Sequence, residues 1–303
     1  NIVYARQGAI YLSRHMLDLP FTYIGKSFGG KDHTTIMYSV TNIEEKMKEN
    51  KPGYSTDRGI RKKINQDSLC IRKAIYKGKQ LVFAIVCDGM GGLAKGEVAS
   101  KEVIFAFCNW FDNQFAEMIN NGSFSEGALK YQWLHLAVEM NEKIKAYGEQ
   151  NGIMLGTTIS AILMYRGRYY IVHVGDSRIY EMSSVARQLT ADQTLVAREI
   201  AAGRLTPEQA ERDSRRSVLL QCVGASPVVE PDFIAGDVML GATYMLCSDG
   251  FRHKISNEEM MSKIGPAACG TETEMENGCK FLTELVKQRR ETDNITVVLI
   301  KTE

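Results

Sequence analysis

Two rhythms of hydrophobic and polar residues divide the chain. Over residues 6–17 apolar side chains recur at helical spacing, Pro20 can open a second helix reaching about Phe28, Gly29-Gly30 breaks it, and Asp32 caps a third running through Lys48. This order predicts an all-α helix-turn-helix segment over residues 1–50. Lys51-Pro52-Gly53 marks a boundary, and over residues 51–303 long helical stretches alternate with short apolar runs rich in β-formers. Helices are expected over 96–118, 128–148 and 272–289, with a further helical stretch over 195–212. Strands are expected over 81–87, 160–165, 169–174, 244–247 and 295–300, those at 160–165 and 169–174 forming a hairpin through Arg166-Gly167-Arg168. Helices interspersed with hairpins predict an α+β fold.

Four of five short acidic motifs sit where these apolar runs end or begin. They are Asn65-Gln66-Asp67-Ser68, Asp88-Gly89-Met90-Gly91-Gly92, Gly175-Asp176-Ser177-Arg178, Ser248-Asp249-Gly250 and Asp293-Asn294-Ile295-Thr296. Any one Asp-Gly at a strand end is an ordinary turn. Five together read as one metal site, because strand ends can gather carboxylates that are distant in sequence. Hard divalent cations take oxygen ligands and keep several waters, so a few carboxylates and one backbone carbonyl suffice for each ion. Glycine after aspartate turns the chain tightly and leaves its carbonyl unobstructed. Two ions sharing a carboxylate can acidify a bridging water and clamp both oxygens of an in-line displacement at phosphorus, which makes phosphate-ester hydrolysis the implied reaction.

Composition narrows the alternatives. A length of 303 residues with 44% hydrophobic content allows a sizeable core, and a net charge of +1 gives no global pull toward nucleic acid or acidic membranes. No run approaches the length of a membrane span and no signal-peptide pattern opens the chain at Asn1, so no membrane association and a cytoplasmic location are expected. Seven cysteines, some inside apolar strands (Cys87, Cys247), read as free buried thiols. There is no internal repeat and no low-complexity segment.

On these motifs the chain resembles the metal-dependent serine/threonine phosphatases of the protein phosphatase 2C, or PPM, family, from about Tyr54 to Glu303. The resemblance implies a four-layer α-β-β-α sandwich of two antiparallel sheets. It implies that Asp88 bridges two Mn²⁺ or Mg²⁺ ions, that the Gly89 carbonyl completes one, that Asp249 and Asp293 hold the other, and that Asp67 acts through bound water. Asp176 would join Asp249 around a looser third ion. By the same resemblance Gly156-Thr157-Thr158 is a family block, and the stretch over 195–212 is the flap beside the active site. Ser177, Arg178 and Asp192 read as structural, and Asn294 as a brace for Asp293.

The chain departs from the family at three places. Gln66 stands where a glutamate is usual, so a neutral amide oxygen replaces an anionic ligand. The phosphate-binding arginine position is Lys62, with Arg61 beside it; lysine binds phosphate as a point charge and arginine bidentately, so either can serve. Met90 replaces the proton-donating histidine of animal members. Rival chemistries fail on spacing. Cys247 to Arg252 is one residue too short for a thiol phosphatase, and Pro20 replaces the first glycine of a P-loop ending in Gly25-Lys26-Ser27.

Residues 28–36, Phe-Gly-Gly-Lys-Asp-His-Thr-Thr-Ile, resemble the signature of the C-terminal DNA-binding domain of the bacterial replication initiator DnaA. By that resemblance Asp32, His33, Thr34 and Thr35 face base edges and Lys31 lies near a phosphate. Residues 1–50 hold only part of that domain, with nearly balanced charge.

The expected molecule is therefore a monomeric phosphatase acting on phosphoserine and phosphothreonine proteins, those of a bacterial Ser/Thr kinase, by attack of a water bridging the metals. The alternative is a DNA-targeted regulator in which the phosphatase fold senses or scaffolds.

Overall fold

The computed structural model describes residues 20–32, 36, 53–90 and 95–302. The chain divides into two compact units, Asn1–Lys51 and Pro52–Glu303. In the first, helix α1 (Phe21–Ser27) starts after Pro20 and ends ahead of Gly29 and Gly30, whose φ angles of 90° and 69° stop a helix. Beyond it the Asp32 carbonyl accepts the Ile36 amide at 3.2 Å, the spacing of a helical turn. The helices expected over 6–17 and 32–48 lie otherwise outside the described residues, as do His33, Thr34 and Thr35.

The second unit begins with β1 (Tyr54–Asp57), β2 (Ser68–Tyr76) and β3 (Lys79–Cys87). Helix α2 (Gly96–Trp110) passes through a π-turn at Phe111–Phe115 into α3 (Ala116–Asn121), so the stretch expected over 96–118 is one path with a bulge. Then come α4 (Glu126–Asn151), β4 (Ile159–Tyr165), β5 (Arg168–Val174), β6 (Arg178–Met182) and β7 (Ala186–Gln188). The stretch over 195–212 is two helices, α5 (Leu195–Ala201) and α6 (Pro207–Arg212). Gly203 at φ 69° and a capping box at Thr206, followed by Pro207, divide it. The chain closes with β8 (Asp232–Asp237), β9 (Thr243–Cys247), the short α7 (Asp249–Arg252), α8 (Asn257–Ile264), α9 (Glu272–Gln288) and β10 (Ile295–Lys301). Among the described residues no helix is long and apolar enough to cross a membrane.

The strands form two antiparallel five-stranded sheets, ordered β1-β10-β9-β6-β7 and β2-β3-β4-β5-β8. Two-residue turns at Lys77-Gly78 and Arg166-Gly167, all four residues at positive φ, close the β2–β3 and β4–β5 hairpins with the hand that strand twist favours. Both faces of the central strands are buried, and the period of two assigns them to different layers. On β3, Phe83, Ile85 and Cys87 pack in a core with Phe107 of α2 and Trp133 of α4, whereas Ala84 and Val86 turn to the space between the sheets. There they share a core with Ile162, Ile171, Tyr244, Leu246 and Val298. The opposite faces of β9 and β10, with Met245, Cys247, Val297 and Leu299, pack with Leu282 and Val286 of α9. Three apolar layers thus separate four layers of secondary structure. All seven cysteines are free, and only Cys70 is more than slightly exposed.

The buried Asn141 of α4 ties this frame to the segment that returns from α6. Its side chain accepts the Gly224 amide at 2.8 Å and donates to the Ser226 carbonyl at 3.2 Å. Asn141→Ala should cost about 2–4 kcal/mol, the penalty of leaving two buried backbone groups unpaired. Urea denaturation would register it as a lower midpoint at unchanged slope.

Candidate active site

Strand register places the motif residues at one end of both sheets. Ser68, which follows Asp67, pairs with Cys87, which precedes Asp88. Ser160 of β4 pairs with Val86 and with His173 of β5, bringing Thr157-Thr158 and Gly175-Asp176 to the same edge. In the other sheet Cys247, two residues before Asp249, lies between Arg178 of β6 and Val297 of β10, the strand that Asp293 precedes. Side-chain and backbone bonds fix each turn. The Thr158 hydroxyl accepts the Asp88 amide at 2.9 Å and meets the Ser177 hydroxyl at 2.9 Å, while the Thr157 hydroxyl donates to the Asp88 carbonyl at 2.9 Å. Asn294 accepts the Gln66 amide and donates to the Arg58 and Ile64 carbonyls, so it anchors the whole loop between β1 and β2 as well as bordering Asp293. Gly89 is hemmed in: a Cβ there would lie 2.4 Å from the Gln66 carbonyl oxygen and 2.6 Å from that of Gly96.

The electrostatics of this edge are severe. Asp67 is 7% exposed, and neither carboxylate oxygen closes a hydrogen bond with a described residue, although the Thr296 and Ser248 hydroxyls lie near enough to ease its charge. Burial first, and then Asp249 and Asp293, push its pKa up to about 7. Burial raises Asp88 well above the carboxylate range, with Asp67, Asp249, Asp176 and Asp293 adding to the effect. Asp176 rises to about 7 through burial and Asp249, against the pull of Arg252. Asp249 is raised by burial and by Asp293. Among the described residues no three such groups close around a single point as a finished ion cage. What they share is a field of like charge.

One cation enters that field from the loop after β1. The Lys62 ammonium lies 2.8 Å from Asp293 Oδ1; burial works against its charge, yet Asp293, with Asp88 and Asp249 farther off, holds its pKa above the ordinary lysine value. Arg61 is exposed and has no ion pair among the described residues. Gln66 spends its amide on Glu97, with Nε2 to Oε2 at 3.3 Å. Sequence reasoning did not single out Glu97, and nothing in its spacing could have shown that it faces Gln66. It also missed His253, whose Nε2 is 3.7 Å from Asp249 Oδ2 and whose Nδ1 is 3.8 Å from Glu291 Oε2. Burial and Arg252 press the His253 pKa down to about 4, so the ring is neutral. Gly91 and Gly92 lie outside the described residues.

A salt-bridged knot borders the cluster. Arg178 grips Asp192 through two bonds of 2.7 Å, and Arg252 reaches both the Asp192 carboxylate and the Asp176 carbonyl at 3.2 Å. Burial alone would raise the Asp192 pKa, but Arg178 and Arg252 hold it below the usual range. Asp192 is thus a permanent anion committed to two arginines.

Residues 57–287 match the family description "Protein phosphatase 2C", and residues 1–43 match "Bacterial dnaA protein helix-turn-helix". The chain belongs to the protein phosphatase 2C family. Within that family it is 32% identical over 248 residues to the serine/threonine protein phosphatase PstP of Mycobacterium tuberculosis, a match covering 80% of this chain and 43% of PstP. The chain therefore spans less than half the length of that relative. It is 32% identical over 258 residues to the serine/threonine phosphatase stp of Listeria innocua, covering 82% of this chain and 94% of stp. Two solved serine/threonine phosphatase structures share the fold. The S. agalactiae serine/threonine phosphatase superposes with a TM-score of 0.71 at 28% identity, over 84% of this chain and 99% of that one. The catalytic domain of PstP in complex with 2 manganese ions gives 0.65 at 30% identity, over 82% and 96%.

The Gln66–Glu97 bond generates a prediction that needs no ion. Gln66→Glu in chelator would set two carboxylates against each other and lower stability by about 0.5–1 kcal/mol. Adding Glu97→Gln should restore the melting temperature, and an unchanged value in the single variant would count against the contact.

Proposed function

We propose that this protein phosphatase 2C chain is a Mn²⁺- or Mg²⁺-dependent enzyme hydrolysing phosphoserine and phosphothreonine in proteins, with residues 51–303 as the catalytic domain. The observation that carries the reading is the gathering of the buried Asp67, Asp176 and Asp249 with the part-buried Asp88, both Asp67 oxygens lacking a hydrogen bond. Buried like charges are relieved only by protons or by cations. An all-oxygen donor set suits the hard ions Mg²⁺ and Mn²⁺. The manganese complex of the related PstP domain supports the same choice.

In this reading Asp88, Asp249 and Asp293 would hold two ions, the Gly89 carbonyl would complete one, Asp67 would act through bound water, and Asp176 with Asp249 would take a looser third. When bound, such ions supply Lewis acidity, offsetting phosphate charge and acidifying water. Thr157 and Thr158 keep the Asp88 backbone in place. Lys62, already inside the acidic field, contacts phosphate oxygens as a point charge, while the exposed Arg61 stays outside. Met90 has no proton to give, so no side chain at that position protonates the leaving oxygen. The names of the relatives support phosphoserine and phosphothreonine proteins as substrates, and we propose those made by a bacterial Ser/Thr kinase.

The match over residues 1–43 favours a second reading, in which the N-terminal unit directs the chain to DNA through Lys31, Asp32, His33, Thr34 and Thr35. Nearly balanced charge there argues against useful affinity, since phosphate contacts supply most of it.

Asp88→Asn should cut hydrolysis of a phosphothreonine peptide in Mn²⁺ by about 100-fold or more, beyond the loss typical of residues that only orient a ligand. Protons compete with cations for Asp67 and Asp176 below their raised pKa of about 7. The rise in melting temperature given by Mn²⁺ should therefore grow from about pH 5.5 to about pH 7.5. Without the ion the sign reverses for these groups: their contribution to stability is full below an unfolded value of about 4 and is lost as pH climbs to the folded one. A Mn²⁺ shift that is flat with pH would contradict the site. For the second reading, titration at physiological salt should show no preference for the initiator's recognition duplex over a scrambled one. A preference of about tenfold or more, lost with His33→Ala and Thr34→Ala, would establish it.

A further inference from the structure

Beside the carboxylate cluster, and distinct from it, a groove of about 750 Å³ runs between the flap helices α5 and α6 and the α7–α8 corner. Its floor is the Arg178–Asp192–Arg252 knot, and its apolar walls include Pro207 and Ala210 on one side and Ile255 and Met260 on the other. The floor abuts the proposed catalytic centre, because Arg252 binds the Asp176 carbonyl and the lining residue His253 lies 3.7 Å from Asp249.

The arginines around this groove fall into two kinds. Arg178 and Arg252 are committed to Asp192. Elsewhere on the flap, Arg204 pairs with Glu199 and Arg215 with Asp213. Arg212 and Arg216, both lining the groove and both exposed, have no carboxylate partner among the described residues. The Arg216 guanidinium donates to the Glu211 carbonyl at 3.2 Å, and its charge is felt at the His253 ring. Two arginines without a carboxylate partner among the described residues thus stand on the rim of a groove that abuts the proposed catalytic centre.

We propose that this groove holds the polypeptide flanking the phosphorylated residue, and that Arg212 and Arg216 select substrates carrying acidic side chains there. The proposal rests on the phosphatase reading above. Apolar walls receive the substrate backbone and aliphatic side chains, while the two guanidiniums bind carboxylates by charge-assisted hydrogen bonds. Two solvent-exposed ion pairs of this kind are worth roughly a threefold to tenfold preference, weakened by salt.

The test compares kcat/KM for two phosphothreonine peptides, one flanked by aspartates and one by serines, in the full chain and in Arg212→Gln/Arg216→Gln. Both positions are exposed and outside the catalytic machinery, so turnover of p-nitrophenyl phosphate and of the serine-flanked peptide should not change. The wild type should prefer the aspartate-flanked peptide by roughly threefold to tenfold, mainly through KM, and the double variant should lose that preference. Equal use of both peptides by the wild type, or a preference that survives in the variant, overturns the proposal. Failure to hydrolyse either peptide would overturn the phosphatase reading instead. Fluorescence anisotropy of the same labelled peptides would then decide the groove on binding alone, with displacement by an unphosphorylated oligonucleotide as readily as by aspartate-flanked peptide counting against it.

Discussion

Mutual repulsion among buried carboxylates is the constraint around which this edge of the molecule is arranged. Asp67, Asp88, Asp176 and Asp249 are each pushed up by burial and then by a neighbouring carboxylate, which for Asp249 is Asp293. A flexible scaffold would relax by letting them swing apart into water. Here they stand at the ends of strands that are buried on both faces and locked between three apolar layers, so separating them would require shearing the sheets. The cost of gathering the charges is carried by the core, and the field they create is what the proposed cations would relieve.

Holding that geometry requires polar groups that position without adding charge. Around Asp88 the work is done by hydroxyls, Thr157, Thr158 and Ser177, and around the loop after β1 by the amide of Asn294. The one basic side chain admitted to the cluster, Lys62, is the group that the proposed reaction needs. The arginines Arg178 and Arg252 are engaged by Asp192, and from there Arg252 also bonds the Asp176 carbonyl and eases the charge on Asp176 and Asp249.

Much of this arrangement was legible in the sequence because strand ends are where apolar periodicity stops, and a glycine or asparagine beside an aspartate marks the turn. The alternation of Phe83, Ile85 and Cys87 with Ala84 and Val86 could not reveal which layer each faces, since both faces are buried and no polar residue marks an outside. That Lys62 rather than Arg61 meets Asp293 was equally closed to sequence, because it depends on the path of a loop fixed by Asn294, more than 200 residues away along the chain. The flap read as one helical stretch since helix propensity continues across it; the break needs the positive φ of Gly203 and the capping box at Thr206. The π-turn at Phe111–Phe115 left no comparable mark. It inserts one extra residue into a helix whose aromatic side chains Trp110 and Phe111 both contact Phe115 and pack into the core.

The flap divides into a fixed base and a lightly held tip. At the base, Gln193 exchanges bonds with Gly175 at 2.8 and 2.7 Å, and Leu195 bonds to Val218 at 2.8 Å, which ties it to the turn carrying Asp176. Toward the tip, α5 and α6 bury only Val196 and Ala210. Segments with so few buried apolar contacts open at low free energy, so the width of the groove beneath the tip is the least rigid dimension of the site. Its floor is the opposite, a bidentate ion pair braced by a second arginine. A wall that can yield does not discriminate well by shape, because a misfit is accommodated by a small opening of the flap. Charge is different: a guanidinium carried on the moving wall keeps its preference for carboxylate across a range of widths. For this fold, electrostatics is the discriminating property that survives the flexibility of the wall that carries it.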